Sequence, residues 1–167
     1  MIIDGHARVF GDDVNTDYII SSRRKRETID AVKLAPYLLE GVDPGFAASV
    51  KAGDLIVAGR NFGCGSAMEV AATVIRAAGI RAVVAQSFAR SFYRNAVNNG
   101  LIPLACDTSA IDEGDTIRIR VEANVASLEP LAGGLVFHAV PMPAIMLDIL
   151  TAGGLVPFLQ DRKRFTG

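Results

Sequence analysis

Three short stretches of this chain carry residue types from which chemistry is made. The first is Gly63-Cys64-Gly65-Ser66, placed between an apolar run and a helical pattern. Glycines there let the backbone come close to a ligand, and the first amides of a following helix point outward with partial positive charge. An anion such as a carboxylate or phosphate suits that place. Ser66 also stands three residues before Glu69, the spacing of a capping box, so its hydroxyl has a structural reading beside a chemical one. The glycine spacing is not the dinucleotide-binding or P-loop pattern, and no Lys-Ser/Thr pair follows. Cys64 beside a helix start would have a lowered thiol pKa if exposed, but no His or Asn context supports nucleophilic catalysis.

The second stretch is the basic run Arg23-Arg24-Lys25-Arg26. It reads either as a solvated surface loop or as a grip for an anionic substrate, because a guanidinium fork holds a carboxylate through two parallel hydrogen bonds. The third is Gly11-Asp12-Asp13-Val14-Asn15-Thr16-Asp17, rich in side chains that hydrogen-bond their own backbone. Its aspartates shape a turn, or one of them holds a catalytic group. No further carboxylate or histidine stands at ligand spacing for a metal. His6 and His138 sit inside apparent strands and read as structural.

The elements that must position these stretches follow from periodicity. Ile2 to Phe10 reads as a strand, and Ala31 to Glu40 has helical spacing with Gly41 as a stop. Leu55-Ile56-Val57-Ala58 and Ala82-Val83-Val84-Ala85 are buried-strand runs. Helices are expected over Ala67 to Ala78, ended by Gly79, and over Phe88 to Asn98, ended by Gly100, with Leu101 to Ala105 a third strand. That is the βαβαβ rhythm of a parallel sheet. Thr116 to Val121 alternates as a half-exposed strand should, Leu135 to Val140 reads as another, and Pro143 to Thr151 as a closing helix stopped by Gly153-Gly154. Residues 1–167 thus read as one compact α/β domain.

Composition narrows the function. Half the residues are hydrophobic and 21% charged, which excludes a disordered chain. A net charge of -1 offers no electrostatic footprint for nucleic acid or an anionic membrane. Two cysteines are too few for a disulfide framework or a four-thiolate metal site. No apolar stretch spans a bilayer and the N-terminus lacks a signal pattern, so a cytoplasmic protein is expected.

The same stretches are similar to a known family. Gly11 to Asp17, then Gly59-Arg60-Asn61-Phe62-Gly63-Cys64-Gly65-Ser66, then Gln86-Ser87-Phe88-Ala89-Arg90-Ser91-Phe92-Tyr93-Arg94-Asn95-Ala96-Val97-Asn98-Asn99-Gly100-Leu101, resemble the small subunits of isopropylmalate dehydratase and homoaconitase. The tail from Val136-Phe137 through Leu147 to Leu155 matches too, so the resemblance covers essentially the whole chain in order. It implies the β/β/α swivelling domain of the aconitase C-terminus, a parallel sheet core flanked by helices. It also implies a large partner subunit carrying a [4Fe-4S] cluster, with neither cysteine of this chain a ligand, and a reaction that removes water from a 2-hydroxy diacid and re-adds it at the neighbouring carbon. By position, Ser66 matches the family's base and Asp17 an aspartate that supports the active-site hydrogen bonds. Gly63, Cys64 and Gly65 form the substrate-facing turn, and Arg24, Lys25 and Arg26 occupy the stretch that reads the substrate's variable side group.

Two departures stand out. The family continues Gly-Cys-Gly-Ser with Ser-Arg-Glu-His, whereas this chain has Ala67-Met68-Glu69-Val70, so Met68 replaces an arginine that binds a substrate carboxylate. Leaving a buried carboxylate unpaired costs on the order of 2–5 kcal/mol. Isopropylmalate enzymes also carry a Tyr-Leu pair where this chain has Arg24-Lys25. Both changes are joined if Arg24 or Lys25 supplies the charge lost at Met68. Three functions follow: an isopropylmalate dehydratase small subunit serving leucine biosynthesis; a sister hydratase for homoaconitate, citramalate, dimethylmalate or maleate; or a non-catalytic partner subunit. Self-association of the chain alone stays open.

Overall fold

Alternate residues of the two buried runs face opposite ways, and that sets the architecture. In the computed structural model, which describes residues 1–122 and 125–161, Leu55, Val57, Ala82 and Val84 enter one core cluster. Their neighbours Ile56, Ala58, Val83 and Ala85 enter another on the opposite face. A strand buried on both faces is a continuous apolar run, as parallel strands covered by helices are.

The elements in order are β1 (Ile2–Val9), α1 (Thr16–Ile19), α2 (Ser22–Glu27), α3 (Ala31–Leu34) with a 3-10 turn at Ala35–Tyr37, α4 (Phe46–Ser49), β2 (Leu55–Ala58), α5 (Glu69–Ala77), β3 (Ala82–Ala85), α6 (Arg90–Asn98), β4 (Ile102–Ala105), β5 (Thr116–Glu122), β6 (Val125–Pro130), β7 (Phe137–Ala139), α7 (Ala144–Thr151) and α8 (Leu155–Asp161). The strands form one seven-stranded sheet in the order β4-β3-β2-β1-β5-β6-β7. β1 to β4 run parallel, and β5, β6 and β7 continue antiparallel, so the expected parallel core is one part of a mixed sheet. Pro103 falls on β4, an outer strand, where its missing N–H removes no central ladder bond.

The α/β reading and the buried strands stand. The expected helix over Ala31 to Glu40 is shorter: Pro36 enters a 3-10 turn after Leu34, and Leu39 takes a left-handed φ of 57°. The basic run is not a loop but the helix α2, capped by the Ser21 hydroxyl accepting from the Arg24 amide. No residue of α2 is buried, so no apolar period announces it. Among the described residues, no single helix is long and apolar enough to cross a membrane.

Candidate active site

Beyond β2 the chain is laid along residues 13–16 in a short ladder. The Asp13 amide donates to the Arg60 carbonyl, the Gly63 amide to Val14 and the Thr16 amide to Cys64, each at 2.8 Å. The Thr16 hydroxyl then donates to the Ser66 carbonyl at 3.0 Å. Side chains fasten the same seam. Asp12 accepts from the Arg60 amide at 2.7 Å and from its guanidinium at 3.1 and 2.8 Å, and these bonds hold the Asp12 carboxyl below its usual range. Asn61 Nδ2 donates to Asp13 at 2.7 Å. Asp12 and Asp13 therefore shape the turn.

The glycines of the turn answer to packing. At Gly63 (φ 77°) a Cβ would lie 2.2 Å from the Phe92 ring, and at Gly65 (φ 91°) 2.5 Å from Asn15 Oδ1. Phe92 is fully buried among Phe62 and Phe88, so the ring has nowhere to yield. Ser66 emerges from this fixed turn exposed, its hydroxyl without a partner among the described residues. The capping-box reading does not hold: α5 begins at Glu69 with Met68 at its N-cap and no side-chain cap bond, so Ser66 lies outside the helix. Cys64 is half-buried with Sγ 3.5 Å from the Asp13 carbonyl. Burial, with the Asp13 charge, pushes its thiol up; the lowering read from sequence required an exposed thiol, and this one is half-buried.

Asp17 sits in the first turn of α1, whose N-cap Asn15 accepts from the Asp17 amide at 2.8 Å. Its Oδ1 accepts from the Ser22 hydroxyl at 2.6 Å and the Lys25 ammonium at 3.0 Å, and these bonds lower its pKa. Lys25 Nζ also touches the Met68 sulfur. Helical geometry sends the cations of α2 in different directions. Arg24 forks onto Glu40 at 2.9 and 3.0 Å and lies over the Tyr37 ring, 3.6 Å from its centroid. Arg26 is exposed, with no partner among the described residues. The structure thus brings Ser66, Asp17, Lys25 and the glycine turn to one place and turns Arg24 toward Glu40.

Comparison with known proteins decides the family. Residues 38–109 match the aconitase C-terminal domain family. The methanogen homoaconitase small subunit of Methanocaldococcus jannaschii is 45% identical over 98% of this chain and 94% of its own length. The 3-isopropylmalate dehydratase small subunit of Moorella thermoacetica is 44% identical over 98% of each. A crystal structure of 3-isopropylmalate dehydratase from Methanocaldococcus jannaschii superposes with a TM-score of 0.91 at 45% identity, covering 98% of this chain and 96% of that one. The chain belongs to this family of small subunits.

Among the described residues no three His, Cys, Asp or Glu side chains are grouped to hold a metal ion. Cys106 is buried, its thiol pushed up to about 11. Two cavities lie elsewhere: about 650 Å³ around Arg8, Phe46 and Glu113, and about 640 Å³ around Arg76, Arg81 and Leu150. Ser66 lines neither and stands on an open face. Sequence reasoning missed Asn15, Thr16 and Ser22 as the groups that fix the site. The run Asn15-Thr16-Asp17, rich in local hydrogen-bonding side chains, was the available signal.

Proposed function

We propose that the chain is the substrate-contacting small subunit of a dehydratase that shifts a hydroxyl between neighbouring carbons of a 2-hydroxy diacid, with isopropylmalate as its substrate. The observation that carries this is Ser66, held exposed by a rigid turn whose backbone is bonded to Thr16, with its hydroxyl unengaged. Ser66, as its alkoxide, takes the proton from the carbon beside a carboxylate, and the C–H electron pair forms the double bond. The neighbouring C–O bond breaks with its pair on the departing hydroxide, which takes up one proton from solvent to leave as water. In the reverse step water adds at the other carbon. Free serine is far too weak an acid for this, so the oxyanion depends on donors aimed at it, from this chain and from the partner. Gly63, Cys64 and Gly65 supply the adjacent backbone. Asp17 positions α2, from which Lys25 and Arg26 meet the substrate. A large subunit holding a [4Fe-4S] cluster completes the site, consistent with the small-subunit naming of the relatives.

A second reading is a sister hydratase for homoaconitate, citramalate, dimethylmalate or maleate. The polar, charged face of α2 supports it, as does a 41% identical relative named isopropylmalate/citramalate isomerase small subunit. Anaerobic reconstitution with a large subunit of the same family, followed by assay for the unsaturated diacid, separates the two. Turnover of isopropylmalate at ordinary enzymatic rates is the expected result. Turnover of another diacid alone establishes the sister reading, and silence on every diacid with a stable, cluster-loaded complex sinks both.

A further inference from the structure

We propose that Lys25 is the carboxylate anchor of this site, a single point charge that occupies the corner between α2 and the residue opening α5; the proposal rests on the diacid reading above. The cations near the turn separate cleanly by what they already hold. Arg24 has its Nε–Nη2 edge on Glu40, Nη1 3.7 Å from Glu27 and its face on Tyr37. Arg60 has its fork on Asp12. Arg23 and Arg26 are exposed, with no hydrogen bond or ion pair to residues 63–68 among the described residues. Among the described cations Lys25 alone has a side-chain polar contact with that segment, through Met68, and its side chain is only 14% exposed.

An ammonium has three donors. Asp17 Oδ1 takes one at 3.0 Å, and the other near neighbour, the Met68 thioether, is at best a weak acceptor. Donor capacity is therefore left over at a half-desolvated cation, where a Coulombic contact is stronger than at an exposed one. Asp17 is itself held by Ser22 at 2.6 Å, so the ammonium is fixed in place before any ligand arrives. Met68 caps α5 without a polar bond, so the charge at this corner comes from Lys25. An incoming carboxylate displaces the thioether contact and leaves the Asp17 pair intact.

The test uses the reconstituted two-subunit enzyme with the diacid that the wild type turns over. Lys25→Met keeps the stem and removes the charge; KM is expected to rise on the order of 30- to 1,000-fold, with kcat within about tenfold. Arg23→Met removes an equal charge from the same helix without touching the turn, and KM is expected to move less than about threefold. Because Lys25 Nζ touches the Met68 sulfur, Lys25→Met combined with Met68→Arg returns a cation to the same point, and much of the lost affinity is expected back. That rescue also shows that the single variant had folded. A KM within about twofold of wild type in Lys25→Met, or equal losses in Lys25→Met and Arg23→Met, overturns the anchor while leaving the dehydratase reading intact. A wild type silent on every diacid overturns the dehydratase reading, and the anchor falls with it.

Discussion

At Ser66 the carbonyl is engaged and the hydroxyl is not, so backbone position and side-chain chemistry are separable at one residue. Ser66→Ala is therefore expected to lower kcat by roughly 10²- to 10⁴-fold, the usual worth of a positioned proton-transfer group, with Tm unchanged. Steady-state rates and calorimetry on the same preparation check both halves; retained turnover removes Ser66 from the proton transfer. The cysteines make the opposite case. Cys106 is buried with its thiol at about 11 and Cys64 is raised by burial, so neither presents much thiolate at pH 8. In the unfolded chain a thiol near its reference value of about 8.5 is roughly one-quarter ionised at that pH. Alkylation of Cys106 is expected to be more than about a hundredfold slower in the native chain than in urea, as peptide mass spectrometry would read. Equal rates would mean that this thiol is not buried as described. The residue types with chemical potential were legible in the sequence, but their engagement was not: that Arg24 is spent on Glu40 while Lys25 turns to Met68 depends on the rotation of α2, which only tertiary contacts fix.

The elements were legible where burial imposes a period. β2 and β3 fall to the residue on the apolar runs, and α6 closes at Asn98 as its glycine signal required. β6 was missed because Val125–Pro130 carries Ala, Ser, Glu and Pro, poor strand formers, and only Ala126 and Leu128 point inward. α2 was missed for the reason given by its exposure: it is held by a Ser21 cap and by ion pairs, not by an apolar stripe. The turn before α5 is the element on which the site depends most. Gly63→Ala would place a methyl against the buried Phe92 ring in a left-handed backbone. The conformational term is about 1–2 kcal/mol and overpacking adds about 1–3 kcal/mol. For a chain of this size the sum corresponds to a fall in Tm on the order of 10 °C. Differential scanning calorimetry on the small subunit alone reads this; an unchanged Tm would show that the turn yields freely and does not hold Ser66 in place.

Across the whole molecule, carboxylates with lowered pKa stand at joints between segments distant in sequence. Asp4 on β1 forks with Arg118 on β5 at 2.8 and 2.6 Å, Asp12 joins the first loop to the turn after β2 through Arg60, and Glu40 ties the segment after α3 to α2 through Arg24. Each is lowered first by a hydrogen bond from its partner arginine. The sign of the linkage follows. A carboxylate with a folded pKa below its unfolded value binds fewer protons when folded, so its stabilisation is complete above the unfolded value of about 4 and fades as pH falls through the folded one. These joints lie around the sheet and along the seam that carries Ser66, so acid loosens the site and the scaffold through the same chemistry. The Tm of the small subunit is expected to be level from about pH 7 to 5 and to drop steeply below about pH 4. In a variant combining Asp4→Asn and Asp12→Asn the level part should be lower and the drop shallower, because fewer linked protons remain to be taken up. A calorimetric series against pH on both proteins measures this directly. An identical slope in the variant would show that acid acts elsewhere, and that these ion pairs only decorate joints already held by the backbone ladder and the packing of Phe62 and Phe92.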